Sequence, residues 1–166
     1  MTALTTLALF GATGELGPLR CGASMNDIVK TLGRPWDLGR ISKRKRWPHL
    51  FSYGHVELCV CRCRTVTGIS VQARHDSIEL PTRGTFPARL TYGQITEALN
   101  EAGCRWQSEP KDAPGSLELR TQPAGVSFVF RTAESSTPLL EQAGVWINAH
   151  DCVPPPPGLP DDGLGM

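Results

Sequence analysis

The chain has 166 residues, of which 40% are hydrophobic and 20% charged, and its net charge is +1, the balance of an ordinary globular protein. A charge so close to zero excludes a chain-wide affinity for nucleic acid or acidic membranes, and no apolar run approaches the roughly 20 residues that would span a bilayer. Charge is uneven along the chain, however. Residues 1–82 hold 11 Lys and Arg against 6 Asp and Glu, and residues 83–166 hold 6 against 10. This asymmetry favours charged partners, attraction between the halves, or solvated faces of opposite sign.

The N-terminal segment, residues 1–16, carries a short apolar stretch and then several glycines. The stretch from Gly11 to Gly17 resembles the glycine fingerprint of dinucleotide-binding reductases, with residues 5–10 as the preceding strand. Pro18 and Gly22 interrupt the helix that must follow such a loop. We therefore interpret the stretch as a connection into the first helix, and keep a small NAD(P)-binding oxidoreductase as an alternative. No Lys or Arg precedes the apolar stretch, which favours a cytoplasmic location over secretion, the open alternative.

Residues 17–80 are predicted to form a first α+β unit. Ser24 is a good helix N-cap, and the apolar residues after it recur every three to four positions, which predicts an amphipathic helix over residues 24–32. Gly33 and Pro35 end this helix. After a basic, irregular stretch, apolar residues bounded by turns predict three strands, over residues 50–53, 56–63 and 66–73.

A linker is predicted over residues 81–88, because two prolines and a glycine mark a boundary there. The second unit, residues 89–152, begins with a helix that Thr91 caps and Gly103 ends. A loop and three further strands are predicted after it, over residues 111–115 for the loop and 117–121, 126–131 and 140–149 for the strands. The proline-rich residues 153–166 predict an extended, disordered tail.

The two units resemble one another. Residues 68–74 match residues 144–150 almost position for position, residues 24–32 parallel residues 91–99, and residues 56–62 have a shortened counterpart in residues 126–131. Three matches in one order predict an α+β fold of two tandem helix-plus-three-stranded antiparallel meander units, with the helices on one face of the sheet. The other face would stay uncovered and continue across both units, which favours binding over catalysis.

The six cysteines are predicted to be mostly reduced thiols, since no clear export signal places the chain in an oxidising compartment. Cys59, Cys61 and Cys63 alternate along an apparent strand, where same-face neighbours are about 6.6 Å apart, too far for a disulfide. With His49 or His55 they could bind zinc or copper, but a straight strand would spread the thiols apart. We therefore predict no metal site and no cofactor.

Three motifs in residues 17–74 follow one another: a glycine-rich start at residues 17–24, the helix end Leu32-Gly33-Arg34-Pro35, and a strand that begins Tyr53-Gly54 and continues to Glu57. This order resembles small actinobacterial proteins found among immunity-protein-like sequences associated with polymorphic toxins. The doubled plan of the chain is similar, in architecture only, to the secreted β-lactamase inhibitor proteins, which clasp their target with a concave sheet. Both resemblances imply a protein partner, a toxin or an enzyme, and neither implies catalytic residues.

No catalytic set is recognisable, because none of the four histidines has a Ser or Cys beside it in a nucleophile arrangement. The predicted function is a non-enzymatic protein-binding module, an immunity-type inhibitor of a toxin or an enzyme. Its partner-binding residues are predicted on the uncovered sheet face and in the basic segment, namely Gln72, Arg74, Arg120, Arg131, Trp146, Asn148 and His150 on the face and Arg44, Arg46 and Trp47 in the segment. The segment from Arg40 to Arg46 keeps a nucleic-acid-binding module open as another alternative.

Trp146 is the most specific of these predictions. If Val145 and Ile147 face the helices, strand alternation turns Trp146 outward, where a large apolar side chain invites a partner to cover it. The alternative is that Trp146 packs between the two units or beneath residues 154–157.

Overall fold

The computed structural model describes residues 2–110, 114–132, 137–148 and 150–153, in which three helices accompany one large antiparallel sheet. The helices are Ala3–Thr13 (α1), Met25–Leu32 (α2) and Tyr92–Glu101 (α3). The strands are Trp36–Arg40 (β1), His49–Tyr53 (β2), Val56–Val60 (β3), Val66–Gln72 (β4), Ser77–Leu80 (β5), Gly84–Pro87 (β6), Arg105–Pro110 (β7), Ser116–Gln122 (β8), Ser127–Arg131 (β9) and Leu139–Trp146 (β10). Within the described part of the chain, no helix is long and apolar enough to cross a membrane.

Eight strands form one sheet in the order β1-β2-β3-β4-β10-β9-β8-β7, and β5 and β6 form a separate hairpin. Every neighbouring pair is antiparallel, and β4 joins β10 in the middle of the sheet. The predicted α+β class and antiparallel pairing are confirmed. The predicted pair of three-stranded meanders is not found, because β1 and β7 are additional strands and all eight belong to a single sheet.

The two unpredicted strands lie at the two edges of the sheet, where few side chains are buried. In β1, Trp36, Asp37 and Leu38 are exposed, and a bulge between Asp37 and Gly39 breaks the alternation. Most of β7 is exposed as well. Without a buried face, a strand lacks the apolar–polar alternation by which a sequence indicates it.

The helices pack on one face of the sheet, as predicted. Paired residues of neighbouring strands share a face, and the helix-covered face carries Phe51, Tyr53, Val56, Leu58, Ile69, Val71, Leu119, Phe128, Ala143 and Val145. Each helical segment contacts this face. The Gly11 carbonyl of α1 accepts a hydrogen bond from Thr121 Oγ1 at 2.7 Å. The Gly33 carbonyl, directly after α2, accepts one from Tyr53 Oη at 2.7 Å. The ring centroid of Tyr92 in α3 lies 5.2 Å from that of Phe130.

The N-terminal segment is a helix, so residues 5–10 are not the strand that the dinucleotide-binding alternative requires, and residues 11–13 belong to this helix rather than to a connection. Thr2 caps α1 by accepting from Thr5 N, and Gly14 ends it in the left-handed conformation at φ 74°. Gly11 lies inside α1, where a Cβ atom would come 2.7 Å from Leu99 Cδ2. Its role is a close approach of α1 to α3, and the strand–loop–helix that a dinucleotide needs is not what this segment forms.

The predicted linker, residues 81–88, contains the turn and the second strand of the β5–β6 hairpin, and β5 lies at the end of the predicted first unit. The Glu79 carbonyl accepts from His55 N at 3.0 Å, and Glu79 N donates to His55 Nδ1 at 2.7 Å, which fastens the hairpin to the β2–β3 turn. Ile78 and Leu80 are buried in the core. Of the predicted tail, residues 153–166, Val153 is exposed and residues 154–166 lie outside the described residues.

Candidate binding face and thiol cluster

The sheet face turned away from the helices is called the open face below. One row of directly paired residues crosses all eight strands on this face: Trp36, Ser52, Glu57, Ser70, Gly144, Ser127, Arg120 and Gln107. A shorter row beside it contains Leu50, Cys59, Gly68 and Trp146, and another contains Gln72, Gln142, Val129 and Glu118. The open face therefore continues from one edge strand to the other.

Trp146 lies flat on the centre of the open face. It pairs with Gly68 across the β4–β10 junction, and 51% of it is exposed. A Cβ atom at Gly68 would come 2.8 Å from the indole Nε1, and one at Gly144 would come 2.5 Å from Cη2. The predicted outward orientation of Trp146 is confirmed, and the two glycines supply the space in which the indole rests.

A polar network lies beside Trp146. Ser70 Oγ accepts from Gln142 Nε2 at 2.7 Å and from Gln72 Nε2 at 3.0 Å. Gln72 is also 3.4 Å from Glu57 Oε2, and its Oε1 accepts from Arg74 at 3.3 Å. Of the predicted binding residues, Gln72 and Arg74 are thus brought together, and their side chains are held by neighbours rather than left to rotate freely.

The two predicted arginines of the second half each lie beside a carboxylate. Arg120 is 3.3 Å from Glu118 Oε1, which also accepts from the Ser127 hydroxyl. Arg131 Nε is 3.1 Å from Glu141 Oε1. Both arginines remain more than half exposed, so their cationic groups are oriented on the open face and reachable by a partner.

Trp47, predicted as a partner-binding residue of the basic segment, lies outside the rows that define the open face, and its role in binding stays a prediction. Its ring carries the guanidinium of the buried Arg64, with Cζ 4.2 Å from the ring centroid, and it packs against the core. Arg44 and Arg46 are exposed between β1 and β2, outside the rows that define the open face. Trp36 begins β1 and is 75% exposed at one end of the row that crosses all eight strands.

A second constellation lies where β3 and β10 end. Cys61, Cys63, His150 and Cys152 have their sulfur and nitrogen atoms within 4.8 Å of one another, and these four residues are called the Cys3His cluster below. Cys61 Sγ is 3.5 Å from Cys152 Sγ, and Cys63 Sγ is 3.2 Å from His150 Nε2. His150, which the sequence predicts as a partner-binding residue, thus contacts the thiols of this cluster. Asn148, predicted for the same role, is exposed.

A turn brings the first two cysteines together. Strand β3 stops at Val60 after a bulge, Cys61 N donates to the Thr65 carbonyl at 2.9 Å, and Arg64 N donates to the Cys61 carbonyl at 2.8 Å. Arg64 adopts φ 65°, a left-handed conformation that closes the turn. The expectation that all three cysteines lie along one straight strand is therefore wrong. Cys59 lies in β3, and Cys61 and Cys63 lie in the turn that follows it.

The other two members follow β10. Ile147 N donates to the Thr67 carbonyl at 3.0 Å, which fixes the chain beside β4 as it leaves the sheet. His150 and Cys152 are 87 and 91 positions from their nearest partners in the cluster. The histidines named with these cysteines in the sequence are engaged elsewhere, since His49 Nε2 is 2.6 Å from Asp37 Oδ1 and His55 contacts Glu79.

The thiols of the cluster differ in acidity. Burial alone would raise the pKa of Cys63, but hydrogen bonds with Thr65, His150 and Cys152 outweigh it and lower the pKa to about 6. The neighbouring sulfurs of Cys61 and Cys63 raise the pKa of Cys152 to about 11. Elsewhere, burial raises the pKa of the Cys104 thiol. The cluster therefore favours a thiolate at Cys63 near neutral pH, which is the form that binds a metal ion.

Comparisons with known proteins found no matching family model, no matching curated protein and no matching solved structure. The resemblance of residues 17–74 to immunity-protein-like sequences thus remains a hypothesis.

Proposed function

We propose that the chain is a non-enzymatic protein-binding module, an immunity-type inhibitor that covers a toxin or an enzyme with its open face. The observation that carries this proposal is the half-exposed indole of Trp146, lying flat at the centre of the face. Tryptophan is enriched among the residues that dominate binding energy, and such residues cluster near the centre of interfaces. An exposed indole at the centre of a long face would contribute binding energy when a partner covers it.

The surroundings of Trp146 support a binding role. Ser70, Gln72 and Gln142 are held in one hydrogen-bonded network, and Arg120 and Arg131 are held by carboxylates. Side chains that are already ordered lose less conformational entropy when a partner arrives, so more of the interaction energy remains as affinity. An aromatic centre with a polar and charged surround is also the common composition of a protein interface.

We further propose that the length of the face arose by duplication. Each half of the sheet consists of a helix followed by four successive strands, α2 with β1–β4 and α3 with β7–β10. The paired strands β4 and β10 carry the similar segments 68–74 and 144–150. A duplicated unit of this kind would double the surface without a new fold.

A cytoplasmic location is part of the proposal. All six cysteines, each within the described residues, are free thiols. Thiols persist in reducing compartments, where an immunity-type inhibitor would meet a toxin or enzyme of its own cell.

The experiment is an affinity capture from the native host with three baits: wild type, Trp146→Asp and Leu9→Asp. Leu9 is 43% exposed on α1, on the other side of the molecule, so it is a matched apolar-to-acidic control. We expect wild type and Leu9→Asp to enrich the same protein, and Trp146→Asp to lose it. Capture that survives Trp146→Asp but not Leu9→Asp would move the binding surface to the helices.

The captured protein is then purified and its own activity is measured against increasing amounts of wild type. An inhibitor gives a loss of activity that saturates at a fixed molar ratio. A partner whose activity is unchanged at saturation would leave a binding module and remove the inhibitory role.

A further inference from the structure

We propose that the Cys3His cluster, Cys61, Cys63, His150 and Cys152, is a structural zinc site that fastens the end of β10 to the turn after β3. This proposal does not depend on the open face or on any partner. It adds a metal site to a chain in which the sequence pattern predicts none.

The spacing of the four donor atoms fits one tetrahedral ion. Zinc binds sulfur at about 2.3 Å and imidazole nitrogen at about 2.0–2.1 Å, which places the ligands of a tetrahedron roughly 3.5–3.8 Å from one another. The distance between the Cys61 and Cys152 sulfurs is 3.5 Å, and the distance from Cys63 Sγ to His150 Nε2 is 3.2 Å. All four atoms lie within 4.8 Å of one another, so an ion between them needs only small side-chain movements.

The donor set favours zinc over hard cations. Three sulfurs and one imidazole are borderline to soft ligands, which exclude magnesium and calcium as natural occupants. Three cysteines with one histidine is a usual ligand set of structural zinc sites. Because four protein ligands complete the tetrahedron, no position stays open for water or substrate, and the site would stabilise rather than catalyse.

The surroundings prepare the cluster for a cation. Thr65 hydrogen-bonds with Cys63 through both its side chain and its backbone, which holds the direction of the Cys63 sulfur. Three sulfurs and one imidazole nitrogen converge on one small region, with all four donor atoms within 4.8 Å of one another. An ion at the centre of this region would contact all four donor atoms at once.

The site has a clear structural consequence. Each ligand pair comes from a segment with little regular structure, the turn at residues 61–64 and the chain at residues 150–152. The two segments are about ninety positions apart in the chain, so a zinc ion bound by both of them closes a long loop. Trp146 is the last residue of β10, so the zinc ion would also fix the end of the strand that carries this residue of the open face.

The test uses the full chain, purified under reducing conditions from cells supplied with zinc, copper and iron. Elemental analysis should give one zinc per chain for wild type and for Cys59→Ser, and a large loss for Cys152→Ser and Cys61→Ser. Cys59 is the matched control, because it is a half-buried thiol two positions from Cys61 and outside the cluster. Cys152 is exposed, so its replacement does not disturb the core and the variant remains folded.

Cobalt substitution reads the ligand set directly. Cobalt added to the metal-free wild type should produce the intense visible bands of a tetrahedral thiolate site and sulfur-to-metal charge transfer, and His150→Ala should alter them.

Removal of zinc by a strong chelator should lower the melting temperature of wild type by several degrees and leave that of Cys152→Ser unchanged. Copper or iron at one per chain would overturn the zinc assignment. In a second preparation without reductant, metal-free wild type with a mass lower by two hydrogens would identify the cluster as a disulfide-forming pair instead. Equal zinc in Cys152→Ser and wild type would remove the site.

Discussion

The indole of Trp146 occupies the space above Gly68 that a side chain at position 68 would fill, with Nε1 2.8 Å from the place of the absent Cβ atom. The two residues are direct partners across the β4–β10 junction. The orientation of the tryptophan thus depends on a glycine in the other half of the chain.

Gly68→Ala should therefore displace the indole. Because Trp146 is half exposed and can swing outward, we expect a modest loss of about 1 kcal/mol in the free energy of unfolding, and greater access of a fluorescence quencher to the indole. The control is the same substitution in Trp146→Ala protein, where nothing remains to be displaced. Urea unfolding of the four proteins should give a coupling of roughly 0.5–1 kcal/mol, and strictly additive losses would contradict the contact.

Gly11→Ala tests the structural role of the glycine-rich segment. The new methyl group would meet Leu99 Cδ2 at 2.7 Å and the ring of Phe128 at 3.2 Å, and both residues are buried. Overpacking of about 1–3 kcal/mol should exceed the gain in helix propensity of roughly 1 kcal/mol, so the variant should be less stable than wild type.

Gly93→Ala is the matched control, since Gly93 lies in α3 and the side-chain atom nearest to an added Cβ would be Thr91 Oγ1 at 3.9 Å. That variant should be equal to or more stable than wild type in urea unfolding. Saturable NADPH binding by wild type that Gly11→Ala abolishes would instead restore the dinucleotide-binding alternative.

Local signals explain which elements the sequence predicts well. The predicted helix over residues 24–32 corresponds to α2, and Thr91 caps α3 with Gln94 completing a capping box, because caps and glycine stops act within one turn. The α1 helix is missed because Gly11 inside it and Gly14 directly after it suggest a loop, although Thr2 and Gly14 are ordinary helix boundaries.

Signals that depend on distant residues are harder to use. Strand alternation places Trp146 outward correctly, because the period of two is local to β10. The Cys3His cluster could not be found in this way, since its halves are far apart in the chain and meet only after β4 has paired with β10. The useful signal in the sequence was the pair of short patterns, two cysteines at residues 61 and 63 and a His and Cys at residues 150 and 152.

Tyr53 should make stability fall at alkaline pH. Its hydroxyl donates to the Gly33 carbonyl at 2.7 Å, and burial raises the pKa of Tyr53 to about 12, above the ordinary value of about 10 in an unfolded chain. Since the folded-state pKa is the higher one, the stabilisation is fully present below about pH 10 and is lost as the pH rises from about 10 towards 12.

Wild type should be more stable than Tyr53→Phe by about 1 kcal/mol near neutral pH, and this advantage should vanish by about pH 11. The ionisation itself can be followed in Tyr92→Phe protein, where Tyr53 is the only tyrosine left. A phenolate absorbance that rises with a midpoint near the ordinary value in the folded protein would show that Tyr53 is not held as described.

Trp146→Ala is the decisive substitution for the open face. We expect it to weaken partner binding by about 2 kcal/mol or more, because an aromatic residue at the centre of an interface contributes most of its energy when a partner covers it. The free energy of unfolding should change by only about 1 kcal/mol, because the indole is half exposed and rests on glycines rather than in the core.

Trp36→Ala is the matched control: Trp36 is more exposed and lies at the edge of the same face, where truncation should cost little affinity. Calorimetric titration of the partner against the three proteins, with a melting curve for each, separates the two roles of the indole. If Trp146→Ala lowers the melting temperature by many degrees and leaves the affinity intact, the tryptophan is a structural element of the β4–β10 junction and the partner binds elsewhere.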